Sequence, residues 1–192
     1  MASPSKQPDP ELLHEAALAH LARYPATRAG LLRVLVRRIA RWARTAEGEP
    51  EAIDRAVSAA EGAARQVVEQ LAENGIVDDA AFAAARARRL ARSGSSRRHI
   101  AAHLARHGVA ERDLTAALPD DPLAELTAAL RFARKRHIGP FRAGAPPDRD
   151  ARRRELAAMA RAGYSAAIAD AALAMPPQDA VARLLAARER GD

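Results

Sequence analysis

Three histidines, His99, His103 and His107, stand four residues apart, the spacing that lines side chains along one face of a helix. Imidazoles in such a row could begin a metal site. Completing one needs further donors, and the nearest carboxylates are Glu111 and Asp113, while the chain contains no cysteine to finish a structural zinc site. A partly exposed histidine row is the better account, and no metal is assigned. Asp78-Asp79 is a carboxylate pair that Mg²⁺ would accept, yet both residues precede a helical run, where capping explains them. Serines are scattered without histidine-and-acid partners at a recognisable spacing. No glycine-rich phosphate loop and no H-E-x-x-H occurs. These residues form no catalytic constellation, so the chain reads as a non-enzyme with no cofactor.

The chemistry is concentrated in arginine. The net charge is +7, and Lys6 and Lys135 are the only lysines, so guanidinium groups carry the excess. A basic balance of this kind favours a polyanion or an acidic protein surface as partner. Arg97 and Arg98 fall in the first turn of a helix, where free N–H groups already present positive charge and each cation costs up to about 1 kcal/mol. A phosphate or carboxylate arriving there would meet N–H groups and guanidinium forks together. In the preceding helix Arg88, Arg89 and Arg92 share one side, with Arg86 at its border, opposite Phe82, Ala83, Ala87 and Leu90. Arg149, Arg152 and Arg153, with Arg154 beside them, load another helix start. Arg86, Arg88, Arg89, Arg92, Arg97, Arg98, Arg149, Arg152 and Arg153 are therefore the candidate partner contacts. Arg134, Lys135, Arg136 and His137 are different, because they end a helix, where the dipole already favours cations.

The elements that must position these groups read as helices. Alanine and leucine dominate a 48% hydrophobic content, and aromatics make up 3%, a balance that favours closely packed helices over sheets. No sustained alternation or Asn-Gly hairpin signals a strand. Residues 1–8 read as a disordered tail. Asp9-Pro10 starts a helix carrying Leu13, Ala17 and Leu21. Thr27 caps a second, with Leu31, Leu35, Ile39 and Trp42 on one face, and EGEP at 47–50 breaks the chain. A long helix follows to about Asn74, with Ile53, Val57, Ala60, Ala64, Val67 and Leu71 in a stripe. In LAENGIVDDAAF, residues 71–82, Gly75 suits the left-handed position past a helix end, and Ile76 is expected to pack back on the last turn. Asp78 or Asp79 then caps the next helix, whose buried face begins at Phe82. The corner recurs as LARHGV at 104–109 and MARAGY at 159–164, so Gly108 and Gly163 join Gly75 as structural corner residues. Asp121-Pro122 and Ser165 open further helices, and GPFRAGAPPD at 139–148 reads as a flexible loop.

The fold class is all-α: short-helix modules too small to bury their own apolar faces, stacked into an elongated, curved body. The expected divisions are 9–60, 61–120 and 121–175, followed by a helical extension at 176–192. No apolar stretch is long enough to span a bilayer and MASPSKQPDP has no hydrophobic signal core, so a cytoplasmic protein is expected, with no membrane contact. The six aromatics, Tyr24, Trp42, Phe82, Phe132, Phe141 and Tyr164, are not interleaved with the arginines, which argues against reading single strands by stacking.

At LAENGIVDDAAF and the following SGSSRRHIAAHLARHGV the sequence resembles the RecX family, bacterial regulators of the RecA recombinase. RRRELAAMARAGYSAAIADAAL is similar to that family's closing helix pair, and ALAHLARYPATRAGLLRVLVRR to its opening pair. The resemblance spans about residues 13–175 and is most specific at 75–82. It departs at Gly94-Ser95-Ser96-Arg97, where the family has G-x-G-P, and at His99, where arginine is usual. It implies three tandem three-helix modules lodged, as a monomer, in the groove of a RecA–DNA filament. There the protein would inhibit recombinase and ATPase activity in DNA repair, recombination and the SOS response, with direct DNA contact weak or absent. The competing class is a sequence-specific helix-turn-helix regulator, suggested by LARHGVAERDL. Three copies of one corner suit architecture better than a single recognition helix.

Overall fold

The computed structural model describes residues 7–144 and 147–190. The described chain is all-α: ten α-helices and one 3₁₀ turn, with no strand among the described residues. Most of the expected tail lies outside the described residues, although Pro8, at its end, is buried. Two compact units form, one from Met1–Phe82 with His107–Ala110, the other from Ala83–Arg106 with Glu111–Asp192.

In the first unit, α1 (Pro10–Leu21) starts at Asp9, whose carboxylate accepts from the Leu12 N–H at 2.8 Å. Thr27 Oγ1 caps α2 (Arg28–Ala43), accepting from Gly30 N–H at 2.9 Å. Proline at the first helical position opens α3 (Pro50–Glu73), where the missing N–H is no loss. Leu13 and Ala17 of α1, Leu31, Leu35 and Ile39 of α2, and Ala60, Ala64, Val67, Val68 and Leu71 of α3 form one core. Apart from Val68, these belong to the rows that the sequence predicts, with Trp42 only half-buried at the edge. α3 runs unbroken across residues 60 and 61, where the sequence places a division; Gly62 lies within the helix without ending it, and the chain turns only at Gly75.

Gly75, at φ +70°, closes α3. Its N–H donates to Ala72 O and that of Ile76 to Leu71 O, both at 2.9 Å, satisfying carbonyls that the helix end leaves open. One expectation changes here. Ile76 is 52% exposed, and Val77, 3% exposed, covers the helix end instead. The reversal at Gly75 brings the second residue past it, rather than the first, onto the core.

The second unit continues α4 (Asp79–Arg92), whose first turn belongs to the first unit, with α5 (Arg97–Arg106) and α6 (Glu111–Ala117). After them come α7 (Pro122–Arg136), a 3₁₀ turn (Gly139–Phe141), α8 (Arg149–Arg161), α9 (Ala166–Ala174) and α10 (Pro177–Glu189). Asp121, Asp148 and Ser165 cap α7, α8 and α9 through their side-chain oxygens. A core joins Ala128, Ala129 and Leu130 of α7 to Met159 and Tyr164, to Ala169, Ala172 and Leu173, and to Ala180 and Leu184 of α10. The start of GPFRAGAPPD is built rather than loose. Gly139 N–H donates to Glu155 Oε1 at 3.2 Å, and Arg142 makes a short charged hydrogen bond to the same oxygen of that buried carboxylate. Residues 145–146 of that loop lie outside the described residues.

Candidate partner-binding surface

The arginines are set by two helix starts built on one plan. At α2, Thr27 Oγ1 donates to His107 O at 2.6 Å while capping its own helix. The Arg28 N–H donates to Asp79 Oδ1 at 2.8 Å, and Gly108 packs so tightly that a Cβ there would meet Ala29 Cβ at 2.4 Å. At α5, Ser96 Oγ donates to Ala162 O at 2.6 Å and accepts from His99 N–H at 3.2 Å. The Arg97 N–H meets both oxygens of Glu125, at 3.0 and 3.2 Å, and a Cβ on Gly163 would stand 2.6 Å from Ser96 Oγ. Each start thus has a cap hydroxyl tied to a carbonyl beside a corner glycine, and a carboxylate from a distant helix on its first N–H.

This geometry sorts the aspartate pair. Asp78 Oδ1 accepts from Ala81 N–H at 2.8 Å and caps α4, whereas Asp79 serves α2, fifty-one positions earlier in the chain. Phe82, half-buried, lies against the His107 ring with centroids 5.8 Å apart.

It also sorts the arginines. At α5 the site for an arriving anion is already occupied, since Glu125 neutralises the helix end on which Arg97 and Arg98 sit. Arg97 turns back, its Nε donating to Leu118 O at 3.0 Å. Arg86 donates from Nε to His103 Nε2 at 3.0 Å. On α8, Arg152 pairs with Asp170 at 3.1 Å, and Arg153 with Asp150 at 3.4 Å, the latter so exposed that the pair adds little. Arg88, Arg89, Arg92, Arg98 and Arg149 are exposed, and their side chains make no hydrogen bond or ion pair among the described residues. Arg88 and Arg92 border one cleft of about 660 Å³, and Arg88 and Arg97 border a smaller hollow beside Glu125. Two groups result: exposed cations on α4 and at the start of α5, and a partly neutralised set on α8.

Burial is the main cause raising the Glu125 pKa above its ordinary value, opposed by the Arg97 N–H and then the Arg97 charge. Tyr164, 4% exposed, donates its hydroxyl to Gly94 O at 3.0 Å. Burial first, and the Glu125 charge second, push its ionisation up. Sequence reasoning missed Glu125 and Glu155. Glu125 had a visible signal, an acid in the first turn after Asp121-Pro122, but only the fold reveals which helix it serves. Glu155 had none.

Among the described residues no group of three or more histidines, cysteines, aspartates or glutamates gathers to hold a metal ion. No described helix is long and apolar enough to cross a membrane.

Comparison with known proteins agrees with this architecture. A family model described as the second three-helix domain of RecX matches residues 78–118, the span of α4 to α6. The chain is 38% identical over 162 residues to the Regulatory protein RecX of Myxococcus xanthus (strain DK1622), covering 83% of each protein. It is 40% identical over 104 residues to that of Agrobacterium fabrum (strain C58 / ATCC 33970), covering 54% of this chain and 55% of the relative. A crystal structure of regulatory protein RecX shares the fold with a TM-score of 0.62 at 19% identity, over 85% of this chain and 70% of that one. With corner, joints and relatives in agreement, the chain belongs to the RecX family of regulatory proteins.

Proposed function

We propose that this chain binds the RecA–DNA filament and inhibits its recombinase and ATPase activities in DNA repair, recombination and the SOS response. It acts as a cytoplasmic monomer, holds no cofactor and catalyses no reaction. Its three-helix modules are α1–α3, α4–α6 and α7–α9, with divisions at the Gly75 corner and at Asp121-Pro122 rather than at residue 60. The observation that carries the reading is the exposed group Arg88, Arg89, Arg92 and Arg98, whose guanidinium groups make no ion pair among the described residues. Membership in the RecX family supplies the filament as the anionic partner. DNA contact is secondary, because no aromatic is interleaved with these cations to stack on bases.

The helix-turn-helix alternative loses ground on geometry. The corner at Gly108 is packed on Ala29, and α6 is seven residues long with Glu111 and Asp113 in its first turn. Carboxylates at that position repel phosphate.

The test is inhibition of RecA ATPase on single-stranded DNA by Arg89→Glu/Arg98→Glu. Both residues are exposed, whereas Arg97 is built into the α5 start and its reversal would set two carboxylates together. The expected result is loss of inhibition with unchanged helicity. Full inhibition by the folded variant rejects these residues as contacts.

A further inference from the structure

The helix that follows the matched modules is not a solvated appendage. On α10, Ala180, Leu184 and Ala187 are buried, and Arg183 ties the helix to α7 by donating from Nε to Thr127 Oγ1 at 3.0 Å and from NH2 to Leu123 O at 2.7 Å. A second row faces outward at helical spacing: Val181, Leu185 and Arg188. The core does not need this row, yet Val181 is 48% and Leu185 54% exposed.

Against this row lies a cleft of about 460 Å³, bordered by Arg92, Arg131, Arg134 and Arg188 over an apolar floor that includes Leu184 and Phe141. The 660 Å³ cleft adjoins it, since Arg92 and Arg131 border both. That second cleft adds Arg88 and, at its far wall, Leu123, 64% exposed. Leu123, Val181 and Leu185 are among the most exposed large apolar side chains described, and all three border these hollows. Single exposed aliphatics are ordinary, but three beside adjoining hollows mark an interaction surface when the charged border is arginine apart from Asp121, whose carboxylate is taken up in capping α7.

We propose that the groove bordered by α4, α7 and α10 docks an acidic peptide segment that carries aliphatic anchors. Carboxylates would meet the arginine rim as forked, charge-assisted pairs, and two or three leucine-sized side chains would settle against Val181, Leu185 and Leu123. Nucleic acid satisfies only half of this chemistry, since a duplex backbone offers phosphates and nothing for the apolar floor. A bilayer is flat and cannot enter a concave cleft. The proposal goes beyond the filament reading and does not rest on it.

The test uses the full chain and a short labelled peptide alternating glutamate pairs with leucine pairs, followed by fluorescence anisotropy. The expected result is binding that weakens with added salt. The same peptide with glutamine for glutamate, or with serine for leucine, should bind about tenfold or more weakly. Arg134→Glu/Arg188→Glu should lose binding to the same degree with an unchanged melting curve. If that melting curve falls, Leu185→Ser at its exposed site carries the test and should still weaken binding severalfold. Equal binding by the serine-substituted peptide overturns the proposal, as does displacement by duplex DNA, capture by phosphatidylserine vesicles through Arg134 and Arg188, or self-association through this face in sedimentation. Because no probe contains RecA, a failure here and a failure of the ATPase test are separable.

Discussion

Glu125 illustrates how one side chain can serve a helix and still resist its own charge. Its carboxylate meets the Arg97 N–H at 3.0 and 3.2 Å, yet burial raises its pKa above the ordinary 4.5. A carboxyl group whose folded pKa is raised holds more protons folded than unfolded in the window between 4.5 and the raised value. Stability from this group is therefore greatest at the acid side and falls as pH rises through that window. Glu125→Gln keeps a carbonyl oxygen for the Arg97 N–H and removes the titration. Melting temperatures of both proteins measured across acid pH should give a difference curve in which the wild type loses stability relative to the variant as pH rises. A difference curve of the opposite slope would mean that the Arg97 N–H bond and the Arg97 charge together outweigh burial. Thr27→Ala, at the equivalent start of α2, removes a hydroxyl that both caps the helix and donates to His107 O. A cost of about 1–2 kcal/mol is expected, seen as an earlier urea midpoint, and no shift would show the bond to His107 to be incidental.

At the scale of elements, three similar corners make different demands on glycine. Gly75 needs only its left-handed backbone, since a Cβ there would meet nothing within 4 Å, whereas at Gly163 it would collide with Ser96 Oγ and at Gly108 with Ala29. Gly75→Ala should cost about 1–2 kcal/mol from conformation alone. Gly163→Ala adds the displacement of Ser96 from Ala162 O, a further loss of about 1–3 kcal/mol. Thermal melts should therefore rank Gly75→Ala mildest, at about 2–4 °C per kcal/mol for a chain of this size; equal losses at all three would refute the packing argument. These corners also mark what was legible in the sequence. Asp9, Thr27, Asp121 and Ser165 cap the helices they precede, as local chemistry requires. Asp79 reads locally as a cap for α4, because a sequence cannot distinguish a carboxylate serving its own helix from one serving α2. Arg97 is the same case. Its helix start looked unneutralised only because Glu125 is 28 positions away in the chain. The apolar rows at helical spacing were legible apart from Val68, and the placing of Ile76 turns on a single residue past a backbone reversal.

For the molecule as a whole, α10 decides whether the segment after the matched modules is ornament or structure. Its Ala180 and Leu184 belong to the same buried cluster as Leu130, Met159 and Leu173, and the Arg183 bonds fix it to α7. A chain ended after Met175 would leave that cluster open on one side and would take the Arg183 guanidinium from the Leu123 carbonyl and Thr127 hydroxyl, leaving only their bond to each other. Leu184→Ala is the smaller form of the same insult and should cost about 2–5 kcal/mol, as core truncations do, while Leu185→Ala, one residue on but exposed, should stay within about 0.5 kcal/mol. Truncation should therefore do more than subtract one helix from the circular-dichroism signal: it should lower the melting temperature and expose surface that binds a hydrophobic dye. A truncated chain that melts where the full chain does would make α10 a mere carrier of the outward row. The inward leucine would then need another explanation. If the loss occurs as expected, the groove rests on a wall that the second unit needs in order to fold, so its arginines and exposed aliphatics are held in place before any partner arrives.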